Sequence, residues 1–226
     1  MKRFLVTGAS RGIGRAVAIE LARHGSVLAL ARTESALNSL KSEAGATLET
    51  FPFALGSDDW SHLQARIEQW GPLDGVVHAA ASMINKPFLE LNDREIGELF
   101  VQNSVAVFGL YRTLIPLANP EAHFVSLGSM GGMTGTAKFA GLSAYSSSKA
   151  AMMTLTECLQ AEFAESTLSF NTLALGAVDT EMLNEAFPGY QAPVDPATMA
   201  AYIASFVLHA HRVIRGKVVP VSRSTP

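Results

Sequence analysis

The feature that most constrains the fold lies near the N-terminus, where the apolar run Phe4-Leu5-Val6 meets a glycine-spaced turn, Thr7-Gly8-Ala9-Ser10-Arg11-Gly12-Ile13-Gly14, and a segment of helical period follows at once. In that segment Ile13, Ala16, Val17 and Leu21 share one helical face, and Gly25 is a natural C-terminal stop. A strand that turns into a helix through glycines aims the helix's free N–H groups at an anion. Gly8 permits the sharp turn, Gly12 admits a phosphate close to the backbone, and Gly14 allows tight packing of helix on sheet. No GK[ST] follows the glycines, so the turn is not a P-loop. The bland alternative is a glycine turn without a ligand, against which the strand-before, helix-after context argues.

Short apolar runs alternate with helical segments along the whole chain, the pattern of βαβ units around a parallel sheet. Strands are expected at Phe4 to Val6, Val27 to Ala31, Leu48 to Phe51, Gly75 to Ala80, His123 to Leu127, Ser169 to Leu175 and Lys217 to Val221. Ser57 with Asp58 and Asp59 reads as a capped helix start, and Asn92 with Glu95 as a capping box for a long helix reaching about Leu117. Further helices are expected from Ser143 to about Ala164 and after Pro196. The fold class is therefore α/β: a doubly wound, mostly parallel seven-stranded sheet with helices on both faces, Rossmann-like. At 226 residues and 48% hydrophobic content, residues 1–226 read as one domain.

Composition excludes several function classes. Seventeen basic and 20 acidic residues give −3, without the basic excess that nucleic acid or an anionic membrane surface would need. Cys158 stands alone, which rules out an internal disulfide and multi-cysteine metal clusters, and the six histidines show no HExxH spacing, so no metal is expected. Phe4-Leu5-Val6 is too short for a signal-peptide core, and no run approaches the ~18 apolar residues of a membrane span. The cytoplasm is the expected location.

The end of the second strand, Leu30-Ala31-Arg32-Thr33, offers a cation where a carboxylate would bond a free ribose 2′-hydroxyl, which favours NADP over NAD. Arg11 offers a second charge for the same 2′-phosphate. Downstream, Tyr145 and Lys149 in Tyr145-Ser146-Ser147-Ser148-Lys149 fall on one helical face. There an ammonium can pull a phenol's pKa down from about 10. Ser129, at the end of the fifth strand, can converge with them at the mouth of the crevice.

With the glycine turn, Ser129, Tyr145 and Lys149 in this order, nearly the whole chain resembles the short-chain dehydrogenase/reductase family. The resemblance implies NADP(H) as cofactor and a small-molecule carbonyl or alcohol as substrate. It implies that Tyr145 protonates the carbonyl oxygen and Ser129 hydrogen-bonds it. Lys149 would lower the phenol's pKa and bind the nicotinamide ribose, and Asn103 would support a water-linked proton relay to the lysine. Cofactor contacts carry over to Gly8, Ser10, Arg11, Gly12, Ile13, Gly14, Arg32, Ala79, Ala80, Tyr145, Lys149, Gly176, Val178 and Thr180. The family's dimers and tetramers would use the helices at Asp93 to Leu117 and Ser143 to Ala164, where Val105, Phe108 and Leu155 are compatible with such a contact and equally with an ordinary core.

Four departures stand out. His78-Ala79-Ala80-Ala81 replaces the family's Asn-Asn-Ala-Gly, with His78 read as a neutral core residue. Ala54 replaces the aspartate near the adenine, with Asp58 as a substitute after a loop shift. Leu175-Gly176 replaces Pro-Gly, freeing a backbone N–H and a φ angle near the nicotinamide. The Ser129 to Tyr145 interval, at 16 residues, is a few more than the family norm, which leaves Ser126 and Ser143 as competing candidates. Apart from these four, Thr225-Pro226 ends the chain without the family's glycine-rich tail. Met133, Phe139, Met182, Leu183, Phe187 and Tyr190 are expected to wall the substrate, and the short stretch from Glu181 to Pro193 hints at an open site. Two rivals remain: a nucleotide-binding sensor without turnover, which would need none of the polar set, and a methyltransferase, which would want an acid where Arg32 stands.

Overall fold

A computed structural model describes residues 1–56 and 59–223. Ser57 and Asp58, expected to open a helix and, for Asp58, to approach the adenine, lie outside the described residues, as do Thr225 and Pro226. Seven strands, β1 (Arg3–Thr7), β2 (Ser26–Ala31), β3 (Leu48–Pro52), β4 (Leu73–His78), β5 (Ala118–Ser129), β6 (Ser169–Leu175) and β7 (Val218–Val221), form one sheet in the order β3-β2-β1-β4-β5-β6-β7. Every pairing is parallel.

Successive strand residues point to opposite faces, so strands buried on both sides read as unbroken apolar runs. Phe4, Val6, Val27, Ala29 and Val125 pack beneath α1 (Gly12–Ala22), α2 (Glu34–Ala44) and α8 (Pro196–His209). Leu5, Leu28, Val76, Phe124 and Phe170 pack beneath α3 (Trp60–Trp70), α5 (Ala106–Leu114) and α6 (Ser143–Glu162). Leu155 belongs to this second core, at 8% exposure, rather than to an outer contact face. Val105 and Phe108 are exposed, at 57% and 50%. Strand order reverses between β1 and β4, and the crevice at the strand C-termini opens there.

The capping box is realised at α4 (Asp93–Phe100): Asn92 Oδ1 accepts from Glu95 N at 3.0 Å, and Glu95 Oε2 accepts from Asn92 N at 3.0 Å. The long helix is not uniform, however. Between α4 and α5 it widens into a π turn over Val101–Val105, which contains Asn103. Gly25 also differs from expectation. Helix α1 ends at Ala22 with Arg23 right-handed, and Gly25 is not among the left-handed glycines. A Cβ at Gly25 would fall 2.4 Å from Lys2 O, so close approach to β1 is what demands glycine. Strand β4 stops at His78 because the N–H groups of Ala79 and Ala80 turn to Thr7 Oγ1, at 3.2 and 3.3 Å.

On β5, away from the crevice end, His123 is 1% exposed, with Nδ1 3.1 Å from Val207 O and Nε2 2.9 Å from Asn171 Nδ2. Burial pushes its pKa down to about 4, against the Val207 bond and with His211 as a lesser lowering influence. The unfolded chain therefore takes up this proton first as pH falls below about 6.5, and stability is lost from there towards pH 4. His123→Gln is expected to make urea stability between pH 6.5 and 5 shallower by up to about 1.4 kcal/mol per pH unit. An unchanged slope would show that His123 titrates normally in the fold.

Among the described residues no helix is long and apolar enough to cross a membrane, and no group of His, Cys, Asp or Glu could hold a metal ion.

Candidate active site

The glycine turn is built by contact as much as by conformation. Gly8 lies at φ +69°, and a Cβ there would sit 2.6 Å from Ala80 N; one at Gly14 would sit 2.3 Å from Gly8 O. Any side chain would push β1 and β4 apart or lift α1 off the turn. Arg11 precedes α1 in extended conformation without a side-chain cap, and no acidic residue occupies the first turn. The helix's first N–H groups thus stay available to an anion.

This turn forms one wall of a groove of ≈ 550 Å³. Gly8, Ser10, Arg11, Gly12, Ile13 and Gly14 line it, with Arg32 beyond β2, Ala79 and Ala80 after β4, and Gly176, Val178 and Thr180 after β6. Ser129, Tyr145 and Lys149 line the same groove. The glycine-lined turn, the uncapped helix end and a cation beside β2 fit a dinucleotide. Phe53 and Leu55 line it on the β3 side, near the place of Ala54.

Ser129 ends β5 and its Oγ accepts from Gly131 N at 3.3 Å. Its hydroxyl also exerts a hydrogen-bonding influence on Tyr145 that acts to lower the phenol's pKa. The extra residues between them are absorbed by a tight turn at Met130–Gly132 and by left-handed Gly135 and Gly141. The competing serines fall away. Ser126 is buried and bonded to Tyr111 Oη at 2.7 Å, and Ser143 is exposed outside the groove.

Tyr145 and Lys149 do share a face of α6, but the expected lowering of the phenol does not appear among the protein's own groups. Burial pushes Tyr145 up to about 12, only partly offset by the Ser129 hydroxyl. Burial likewise brings Lys149 down to about 8, and its Nζ donates to Leu127 O at 2.8 Å. Desolvation outweighs an ammonium whose hydrogen bond goes to β5.

Asn103 stands behind the groove, fully buried. Its Oδ1 accepts from Ser82 N at 2.8 Å, while Nδ2 donates to Ser82 O and to Ser148 Oγ, both at 2.9 Å. Ser148 Oγ in turn donates to Tyr145 O at 2.8 Å, and Ser104 Oγ donates to Ser148 O at 2.7 Å. The π turn thus ties the loop after β4 to the helix turn between tyrosine and lysine. Ser82, Ser104 and Ser148 were missed in the sequence, where one serine in the run Ser146-Ser147-Ser148 looks like another.

His78 is the neutral core residue expected. Thr7 Oγ1 already accepts from Ala79 N and Ala80 N, so its one proton goes to His78 Nδ1, 3.0 Å away. Burial, followed by the Lys149 charge, lowers its pKa to about 3. The Leu175-Gly176 departure loosens nothing, because Leu175 stays within β6, paired with Ser129 and Val221.

Of the expected substrate walls, Phe139, Met182, Leu183, Phe187 and Tyr190 line the groove, whereas Met133 packs against the α6-side core. The short helix α7 (Glu181–Ala186) contributes Glu181, Met182 and Leu183 to the groove lining. It is tied to both walls, by Arg11 to Glu185 at 2.6 Å and by Asn85 Nδ2 to Ala186 O at 2.7 Å.

The short chain dehydrogenase family model matches residues 2–191. A 2,3-dihydro-2,3-dihydroxybenzoate dehydrogenase of Bacillus subtilis is 34% identical over 187 residues, covering 78% of this chain and 70% of that protein. A D-erythrulose reductase of Gallus gallus is 32% identical, covering 80% of this chain and 73% of that protein. Among solved structures, a protein assigned as a short-chain dehydrogenase from Shigella flexneri, complexed with NADP, superposes with a TM-score of 0.86 at 28% identity over 97% of this chain and 96% of that one.

Proposed function

The chain belongs to the short-chain dehydrogenase/reductase family, and from that membership we propose that it is an NADPH-dependent reductase of aldehydes or ketones, with Tyr145 as the proton donor. The family acts on CH–OH and C=O groups with a nicotinamide cofactor, which supplies the hydride. The protein's part is placement, polarisation and a proton. One observation carries the reading: Ser129, Tyr145 and Lys149 open onto the same groove as the glycine turn and Arg32.

Tyr145, held neutral by burial, is a proton donor to the stronger base that forms when a carbonyl is reduced. Ser129 hydrogen-bonds the same oxygen. Lys149 holds the nicotinamide ribose, and the segment with Gly176, Val178 and Thr180 holds the carboxamide end. Asn103 keeps the α6 turn in position. Arg32 takes the 2′-phosphate. A wall of Met83, Phe139, Leu142, Met182 and Phe187 suits an apolar, uncharged carbonyl compound. The reading extends to a cytoplasmic homodimer or homotetramer, whose contact would cover Val105 and Phe108.

NADPH is expected to raise the melting temperature more than NADH or S-adenosylmethionine at equal concentration, and NADPH to be consumed with apolar aldehydes, ketones or quinones. Equal protection by all three nucleotides would remove the cofactor assignment. NADPH protection without consumption across the screen would leave a sensor.

A further inference from the structure

Two cations were expected at the 2′-phosphate, and they stand in different electrostatic situations. Arg32 is exposed at the end of β2 and takes part in no ion pair among the described residues. Arg11 is already engaged. Its Nη1 and Nη2 grip Glu185 Oε1 and Oε2 at 2.6 and 3.4 Å, a two-pronged contact joining the glycine turn to α7 across 174 residues of chain. Both partners answer to it, Glu185 lying below the usual carboxylate range and Arg11 above its own, with Glu181 as a lesser attraction on Arg11. A similar pair, Arg15 to Glu43 at 2.6 Å, lies outside the groove and has no such bearing on a ligand.

A guanidinium whose fork is filled by a carboxylate is not free to bind phosphate with the same edge. We propose that Glu185 is a specificity-determining residue: it competes with the ligand's 2′-phosphate for Arg11 and so sets how strongly the chain prefers NADP(H) to NAD(H). The proposal rests on the NADP(H) reading above. Binding of a 2′-phosphorylated nucleotide must break the Arg11 to Glu185 contact or forgo Arg11. NAD(H), lacking that phosphate, leaves the contact intact.

Exposed ion pairs are weak, so the competition amounts to about 1.5- to 5-fold in affinity. The test is a fluorescence titration of NADPH and NADH into the full chain and its Glu185→Gln, Arg11→Ala and doubly substituted variants, at low and at high salt. Glu185→Gln is expected to tighten NADPH by that factor and leave NADH unchanged, with the gain shrinking as salt screens the pair. Arg11→Ala is expected to weaken NADPH more in the Glu185→Gln background than in the original chain. A Glu185→Gln variant with an unchanged or lower NADPH to NADH ratio overturns the inference while the reductase reading stands. A starting chain that binds NADPH no better than NADH overturns the NADP reading, and this inference with it.

Discussion

Tyr145→Phe is expected to lower NADPH-dependent turnover by about 10²- to 10⁴-fold while NADPH affinity stays within a few-fold of the original chain. The substitution removes one oxygen and keeps the ring, which is 8% exposed and packed at the start of α6. Ser129 Oγ retains its bond from Gly131 N, so no buried partner is stranded. The fold should therefore hold, and a melting temperature near the original would confirm it. What disappears is the proton. Burial raises the phenol to about 12, so Tyr145 carries its proton at any working pH. Lys149, brought down to about 8, also lines the groove, with its Nζ donating to Leu127 O at 2.8 Å. Turnover by the variant within a few-fold of the original would take Tyr145 out of the catalytic role.

The fold was legible wherever local chemistry decides it. Strand β6 spans Ser169–Leu175 as its apolar run suggested, and Asn92 with Glu95 forms the capping box that three-residue spacing implies. The glycine turn was legible because Gly8 takes a left-handed φ of +69° and Gly14 packs on Gly8 O within one βαβ unit. The rest depends on partners distant in sequence. Nothing near Arg11 announces Glu185, and nothing in Ser146-Ser147-Ser148 marks the third as the one that Asn103 and Tyr145 O share. The π turn at Val101–Val105 leaves no signature in apolar period, yet it contains the asparagine that binds both Ser82 and Ser148. The phenol's acidity failed for a different reason. Spacing gives proximity along a helix, but the sign of a pKa shift is decided by depth, and depth is a property of the assembled sheet.

That distinction bears on the cofactor. Because Arg11 is committed to Glu185, discrimination between NADPH and NADH should fall mainly on Arg32. Arg32→Ala is expected to cost roughly 1.5 to 3 kcal/mol of NADPH affinity, about 10- to 150-fold, the worth of a charge-assisted hydrogen bond. NADH affinity should not move, since the ribose 2′-hydroxyl carries no charge for the guanidinium to meet. Arg32 is exposed and takes part in no ion pair among the described residues, so its removal leaves no orphaned carboxylate and the melting temperature should hold. Arg32→Asp carries the argument further. A carboxylate at the end of β2 repels a 2′-phosphate and accepts a hydrogen bond from a free 2′-hydroxyl, so the preference should invert towards NADH. Calorimetric titration of both nucleotides into the three chains decides the matter. If NADPH binds the alanine variant as tightly as the original chain, the 2′-phosphate lies elsewhere, and the reading of Leu30-Ala31-Arg32 as the NADP determinant fails with it.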